Sequence, residues 1–415
     1  MSGLALIALA LGASVTGSDR APSPYGDRLR ERGVQPAIGH AAENVPEGAE
    51  VVYSSAIAAD NPERRTGARQ LHRADLLAEI AALRRCVAVT GTHGKTTTSA
   101  MIVHALRGAG LDPSYVVGGE LRGTGSNAGW GNGEWIVVEA DESDRSLLKL
   151  APEIAVLTNA ELDHHATYAS RLDLERTLSR FMAGAREAVV WDRPRLRSLC
   201  PGAVGYDTGE VVLGPEGSTF SWRGLRVSLS VPGAHNAVNA AGALTACALA
   251  GADPAAAAAA LADFRGARRR MELLGRTARG ARVYDDYAHH PTEVAAAIAA
   301  ARTLAPRRLV AAFQPHLYSR TAALWRQFGA ALAAADSVCV LPVYAARERA
   351  QDFPAVSGRL VAAAAADAGA GRRVAWMPSL EDARAHLLAT LGSDDVCLMM
   401  GAGNIDSLAR SLVAA

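Results

Sequence analysis

The segment Gly91-Thr92-His93-Gly94-Lys95-Thr96-Thr97 stands between an apolar run at 86–89 and a helix-forming stretch at 96–107. A glycine loop joining a strand to a helix presents backbone N–H groups and the positive helix end to an anion. Lys95 is spaced to meet terminal phosphates, and the Thr96 hydroxyl suits Mg²⁺. The pattern is incomplete, because Val89 holds the first-glycine position of G-x-x-x-x-G-K-[ST]. The alternative is an ordinary glycine turn. Two observations favour phosphate: the strand–loop–helix context, and the scarcity of lysine, which occurs only at 95 and 149 among 43 basic residues.

Other polar clusters follow apolar runs in the same way. Glu139-Ala140-Asp141-Glu142-Ser143-Asp144 comes directly after the run at 135–138. Acids at the carboxyl ends of parallel strands line the ligand crevice and can hold Mg²⁺; the alternative is a solvated acidic loop. Asp163-His164-His165 follows the run at 154–157. His164 is therefore a second candidate metal ligand, or else a polar loop residue. Asn236 opens a helix and suits either an adenine edge or a cap. Asp285-Asp286-Tyr287-Ala288-His289-His290-Pro291 and Gln314-Pro315-His316-Leu317-Tyr318-Ser319-Arg320 sit at two further strand ends and could form one wall of a cleft. Gly401-Ala402-Gly403-Asn404 reads as a tight turn.

The elements that must position these residues are α/β. Residues 3–11 read as a helix, followed by a short strand at 13–16 ending near Asp19. Residues 51–54 read as a strand, and Asn61 caps a helix entered through Pro62. Strands at 86–89, 135–138 and 154–157 are apolar throughout, as in a parallel sheet covered on both faces. Residues 203–231 suggest a small antiparallel insertion. A helix at 236–250 closes at Gly251, and Asp253 caps an alanine run. After a basic hinge at 265–270, strands at 283–284, 309–313, 337–341, 374–377 and 396–400 alternate with helices in an open, mostly parallel sheet.

Composition excludes several classes. The chain has 415 residues, 49% of them apolar and 20% charged, enough for a large core and too apolar for disorder. The net charge of +1 and 5% aromatics give no footing for nucleic acid. No apolar run spans a bilayer. Five dispersed cysteines without a C-x-x-C imply neither disulfides nor zinc, but thiols in a reducing cytoplasm.

Together these segments resemble the Mur ligase family of peptidoglycan synthesis. The resemblance is carried by Ser54-Ser55-Ala56-Ile57 with Asn61-Pro62-Glu63, the 91–97 loop, the 139–144 acids, Thr158-Asn159 with Asp163-His164, Gly233-Ala234-His235-Asn236, Arg269-Arg270, 285–291 and 313–320, in family order over nearly the whole chain. It implies three domains: a truncated Rossmann-like UDP-sugar domain (1–82), a central P-loop ATPase α/β domain (83–270) and a C-terminal Rossmann-like domain (271–415). It implies that ATP phosphorylates the lactyl carboxylate of UDP-N-acetylmuramate, and that L-alanine's amine attacks the acyl phosphate. A monomer or weak homodimer is expected.

By the same resemblance Gly91, Thr92, His93, Gly94, Lys95, Thr96 and Thr97 hold the phosphates, and Thr96, Glu139 and His164 hold Mg²⁺. Asn236 contacts adenine, while Arg270 and Asp286 complete the ATP site on closure. Tyr287, His289 and Arg320 face the acceptor, and Asp19, His40, Ser54 and Ser55 face the UDP-sugar. Two departures stand out. The family's first strand and diphosphate-binding glycine turn do not precede Ser2, which implies weakened UDP-sugar binding. Leu317 stands where relatives tend to carry Arg. The rival readings are a recycling ligase that adds a tripeptide to the same sugar, a non-catalytic nucleotide-binding relative, and an unrelated P-loop kinase or GTPase. The last would leave 285–291 and 313–320 unexplained.

Overall fold

The computed structural model describes residues 1–163 and 167–414. They form two compact units: 1–207 with 241–260, and 208–240 with 261–415. The helix Ala234–Leu249 is shared between them.

The first unit is built on a seven-stranded sheet. Its order is Val204–Tyr206, Glu187–Trp191, Ile154–Leu157, Arg85–Thr90, Trp135–Glu139, Ser114–Leu121, Ser126–Gly129, parallel except for the last pair. The strand Arg85–Thr90 is first in sequence but central in space, with later strands laid down on either side. That is the topological switch at which α/β sheets open a ligand crevice beyond their carboxyl ends. Val87, Ala88, Val89, Ile136, Val137, Val138, Ala155 and Val156 are fully buried, which accounts for their unbroken apolar runs. The helix Lys95–Gly108 packs so closely on the alanine helix Pro254–Ala260 that a Cβ at Gly108 would lie 2.3 Å from the Ala260 Cβ. The alanine run is thus a packing surface as well as a helix former.

The second unit carries a three-stranded antiparallel sheet (Val211–Gly214, Gly217–Trp222, Leu225–Leu229). Its larger sheet has six strands, ordered Glu272–Arg276, Arg282–Asp286, Asp395–Met400, Arg308–Phe313, Ser337–Val340, Arg373–Trp376. Only the edge strand Glu272–Arg276 is antiparallel. The α/β class and the mostly parallel last sheet agree with the sequence reading.

Two expectations need correction. The strand expected at 13–16 is Ser18–Asp19, a two-residue parallel pair with Ala37–Ile38. The alternation of Ala13 and Val15 with Ser14 and Thr16 misplaced it, because a strand as short as Ser18–Asp19 has no periodicity of its own. The antiparallel insertion begins at 211 rather than 203, since Val204–Tyr206 extends the large sheet in parallel. No described helix is long and apolar enough to cross a membrane.

Candidate functional site

The site of the first unit grows from three strand ends. Beyond Arg85–Thr90 the chain turns through Gly91 at φ +125°, then Gly94 at φ +80°, which precedes the helix Lys95–Gly108. The first turn of that helix leaves N–H groups without intrahelical acceptors. The segment after Ile154–Leu157 braces the loop. The Thr158 Oγ1 donates to the His93 carbonyl at 2.6 Å, the Asn159 Nδ2 donates to it at 2.9 Å, and the His93 N–H donates to Asn159 Oδ1 at 2.9 Å. Thr92 Oγ1 donates to the Glu161 carbonyl at 2.7 Å, and His93 Nε2 lies 3.3 Å from Glu161 Oε2. Thr97 is buried in the first helical turn.

This bracing leaves no room for a side chain at Gly91. A Cβ there would lie 2.3 Å from Thr158 Oγ1 and 2.8 Å from the Asn159 carbonyl oxygen. Gly91→Ala should therefore displace the loop, destabilise the protein by about 1–3 kcal/mol, and abolish saturable ATP binding. Urea melts and calorimetric titration check both effects.

The Lys95 Nζ donates to the carbonyls of Gly91 (2.7 Å) and Thr92 (3.2 Å), and lies 2.9 Å from Glu142 Oε2. Burial works against its charge, but the carboxylates of Glu142, Asp141 and Glu139 outweigh burial and raise its pKa above the ordinary lysine value. The ammonium stays charged at the crevice floor. Glu142, fully buried, is its main counterion. Sequence reasoning placed Glu142 in the acidic run without giving it this role. Its spacing three residues past Glu139 was the only available signal.

Thr96 Oγ1 donates to Glu139 Oε2 at 2.8 Å, and the Gly118 N–H donates to the same oxygen at 2.8 Å. A Cβ at Gly118 would come within 2.6 Å of that oxygen, so glycine is needed there too. A hydroxyl and a carboxylate converging beside a phosphate-type loop are hard oxygen donors of the kind Mg²⁺ takes. The residues present thus fit that ion. His164 lies outside the described residues.

Of the residues expected at the UDP-sugar, Ser55 reaches the acidic run. Its Oγ donates to Asp144 Oδ2 at 2.8 Å and lies 3.1 Å from His72 Nε2. Asp144 also pairs with Arg73 at 3.3 Å. Burial would raise its pKa, but hydrogen bonds from Ser146 and Ser55 and the Arg73 charge hold it down at about 2. Among the described residues the Ser54 side chain bonds locally, its Oγ accepting from the Ala56 N–H at 3.3 Å. His40 belongs to a separate group. Its Nδ1 lies 2.9 Å from Ser18 Oγ, which donates to Glu63 at 2.7 Å. Asp19 is exposed at the end of Ser18–Asp19, one residue from Ser18.

The second unit gathers its polar residues at the carboxyl ends of its parallel strands. Asn236 lies in the first turns of Ala234–Leu249, where its Nδ2 donates to the Pro232 carbonyl at 2.7 Å. Asp286 accepts from the Met271 and Ala288 N–H groups, both at 2.8 Å. Burial nonetheless lifts its pKa to about 6, against the lowering effect of Arg270 and these two bonds. Arg270 lies 5.3 Å from the Tyr287 ring centre and 4.0 Å from Glu293. Its neighbour Arg269, at φ +57°, donates to Asp285 (3.2 Å) and to the Gly401 (2.6 Å) and Gly403 (3.3 Å) carbonyls. Sequence reasoning gave Arg269 no role, because the Gly401 and Gly403 carbonyls that it binds lie more than a hundred residues away.

Tyr287, His289 and Arg320 come together. The Tyr287 and His289 ring centres are 5.4 Å apart, those of His289 and His316 are 6.1 Å apart, and Arg320 Nη1 lies 3.2 Å from His316 Nδ1. Leu317 precedes the helix Tyr318–Leu332 at φ +69°, a conformation uncommon for a residue with a Cβ.

Asp285 carries a pH-dependent contribution to stability. Burial raises its pKa to about 7, Arg269 opposes this, and Asp406, Asp286 and Glu272 add to it. The unfolded chain loses this proton near 3.8, whereas the folded chain keeps it to about 7. Between those values the folded state binds more protons, so stability falls as pH rises. Asp285→Asn should remove that slope. The melting-temperature difference, variant minus parent, should grow from pH 5 to pH 7.5. A flat difference would contradict the assignment.

Comparisons with known proteins give three successive matches along the chain. Residues 1–85 match the Mur ligase family catalytic domain, 89–247 the Mur ligase middle domain, and 269–403 the Mur ligase glutamate ligase domain. The chain is 44% identical to the UDP-N-acetylmuramate–L-alanine ligase of Rubrobacter xylanophilus, covering 100% of this chain and 97% of that one. It is 43% identical to the ligase of the same name from Acidithiobacillus ferrooxidans, covering 99% and 94%. The solved structure of a UDP-N-acetylmuramate-alanine ligase from Thermotoga maritima superposes with a TM-score of 0.86 at 26% identity, covering 100% and 96%.

Proposed function

The chain belongs to the Mur ligase family, and from that membership we propose that it joins L-alanine to the lactyl carboxylate of UDP-N-acetylmuramate, with ATP cleaved to ADP and phosphate. One observation carries the reading: Lys95, Thr96 and Glu139 converge at a braced glycine loop, in a chain 44% identical over its whole length to a ligase of that name.

The chemistry follows from the reactants. A carboxylate is a poor electrophile towards an amine. An oxygen of the lactyl carboxylate attacks the terminal phosphorus of ATP, the bond to the ADP oxygen breaks, and an acyl phosphate forms. The neutral amine of L-alanine adds to the acyl carbon, phosphate leaves with the C–O bond electrons, and the amine's proton passes to solvent. Each step crowds negative charge.

Lys95 offsets the charge on the transferring phosphoryl group, and the loop N–H groups orient it. Thr96 and Glu139 would hold Mg²⁺, which would supply positive charge to the reacting phosphates. Asn236, Arg270 and Asp286 are assigned to ATP. His289 and Arg320 are assigned to the acceptor, where the guanidinium suits its carboxylate. Ser55, Asp19 and His40 are assigned to the UDP-sugar.

The test is phosphate release from ATP. It should require UDP-N-acetylmuramate and L-alanine together and yield one phosphate per amide formed. Release supported only by a tripeptide acceptor would move the assignment to the recycling ligase. ATP binding without release under any combination would make the protein a non-catalytic relative.

A further inference from the structure

The residues assigned to the acceptor belong to a longer row than the sequence revealed. Beyond Tyr287, His289 and His316, the ring of Tyr344 stacks on His316 with centres 5.8 Å apart and planes 13° apart. Tyr344 follows the strand Ser337–Val340, so the row runs over the carboxyl ends of Arg282–Asp286, Arg308–Phe313 and Ser337–Val340, three parallel strands of one sheet. It is 37% exposed, unusual for a large ring in this unit.

That ring is held firmly. The Tyr344 N–H donates to the Pro315 carbonyl at 2.8 Å, and its carbonyl accepts from the Leu317 N–H at 2.9 Å. A Cβ on Gly403 would lie 2.5 Å from the Tyr344 Cγ, so the turn at 401–404 closes against the near side of the ring. Clamped through its backbone and backed by that turn, the ring has little room to retreat. Next to it, Arg320 Nη1 reaches His316 Nδ1 at 3.2 Å. An amino acid whose carboxylate is held by Arg320 has its α-carbon one bond from that carboxylate. Its side chain must then project within reach of the aromatic row.

We propose that Tyr344 is a specificity-determining residue for the acceptor, a rigid wall that admits a methyl-sized side chain and turns larger ones away. The proposal rests on the ligase reading and deepens it. A fixed apolar wall discriminates by size, and one methylene in such a pocket is worth about 10–200-fold.

The test compares L-alanine, L-2-aminobutyrate and L-valine as acceptors, at saturating ATP and UDP-N-acetylmuramate, in the parent, Tyr344→Ala and Tyr344→Phe. Tyr344→Ala should raise kcat/KM for L-valine relative to L-alanine by about tenfold or more, with KM for ATP unmoved. Tyr344→Phe, which keeps the ring, should keep the parental ratio. If Tyr344→Ala does not fold, Tyr344→Leu, shorter than the ring, carries the same expectation. A folded, active Tyr344→Ala with the parental ratio overturns the wall, as does a Tyr344→Phe ratio shifted as far as that of Tyr344→Ala. A parent that releases no phosphate with L-alanine overturns the ligase reading, and the wall falls with it; the parent's own activity therefore separates the two failures.

Discussion

Lys95→Met should reduce ATP-dependent ligation by about a thousandfold, the upper range for removing one preorganised group that meets developing charge. Methionine keeps most of the apolar stem and removes only the ammonium. The loss should fall on kcat as well as on KM for ATP, because charge on the phosphoryl group shifts during transfer. The substitution has a second consequence that must be separated from the first. Glu142 is fully buried with the Lys95 ammonium at 2.9 Å. Breaking a buried pair from one side costs about 3–5 kcal/mol. The double variant Lys95→Met/Glu142→Gln removes both charges and should recover much of that stability while remaining inactive. Recovery of turnover along with stability would mean that Lys95 serves the fold and not the reaction.

Glu139→Gln should raise the Mg²⁺ concentration needed for half-maximal rate by at least about 100-fold, since even the outer partners of metal ligands are worth about 10–100-fold. Glutamine is isosteric and its amide oxygen can still accept from the Gly118 N–H, which now bonds Glu139 at 2.8 Å. The melting temperature should therefore change little. The variant replaces a negative oxygen beside Thr96 with a neutral one, which a hard divalent cation binds poorly. A magnesium titration of initial rate decides the matter, and superposable curves for parent and variant would remove Glu139 from the metal.

Much of this was legible in the chain. The runs at 86–89, 135–138 and 154–157 announce buried parallel strands because both faces are covered, and no alternation is needed. The polar residues just beyond them mark a crevice for the same reason. Other strands left weaker traces. Ser114–Leu121, which the sequence reading did not assign, is interrupted by Gly118 and Gly119, and Gly118 is there to let the Glu139 carboxylate approach. Glu272–Arg276 is an edge strand with a bulge near Gly275 and mixed polarity. The roles of Glu142, Arg269 and Tyr344 depend on partners 47, 132 and 28 residues away. Local spacing does not name such partners, because the sheet topology brings them together.

The most direct test of the reaction follows an oxygen atom. UDP-N-acetylmuramate labelled with ¹⁸O in its lactyl carboxylate is turned over with ATP and L-alanine, and the released phosphate is examined by mass spectrometry. Carboxylate activation by phosphoryl transfer requires one carboxylate oxygen to leave with phosphate, so each phosphate derived from fully labelled substrate should carry one ¹⁸O. Phosphate free of label, released in step with amide formation, would contradict the acyl-phosphate route and the role assigned to the Lys95 loop.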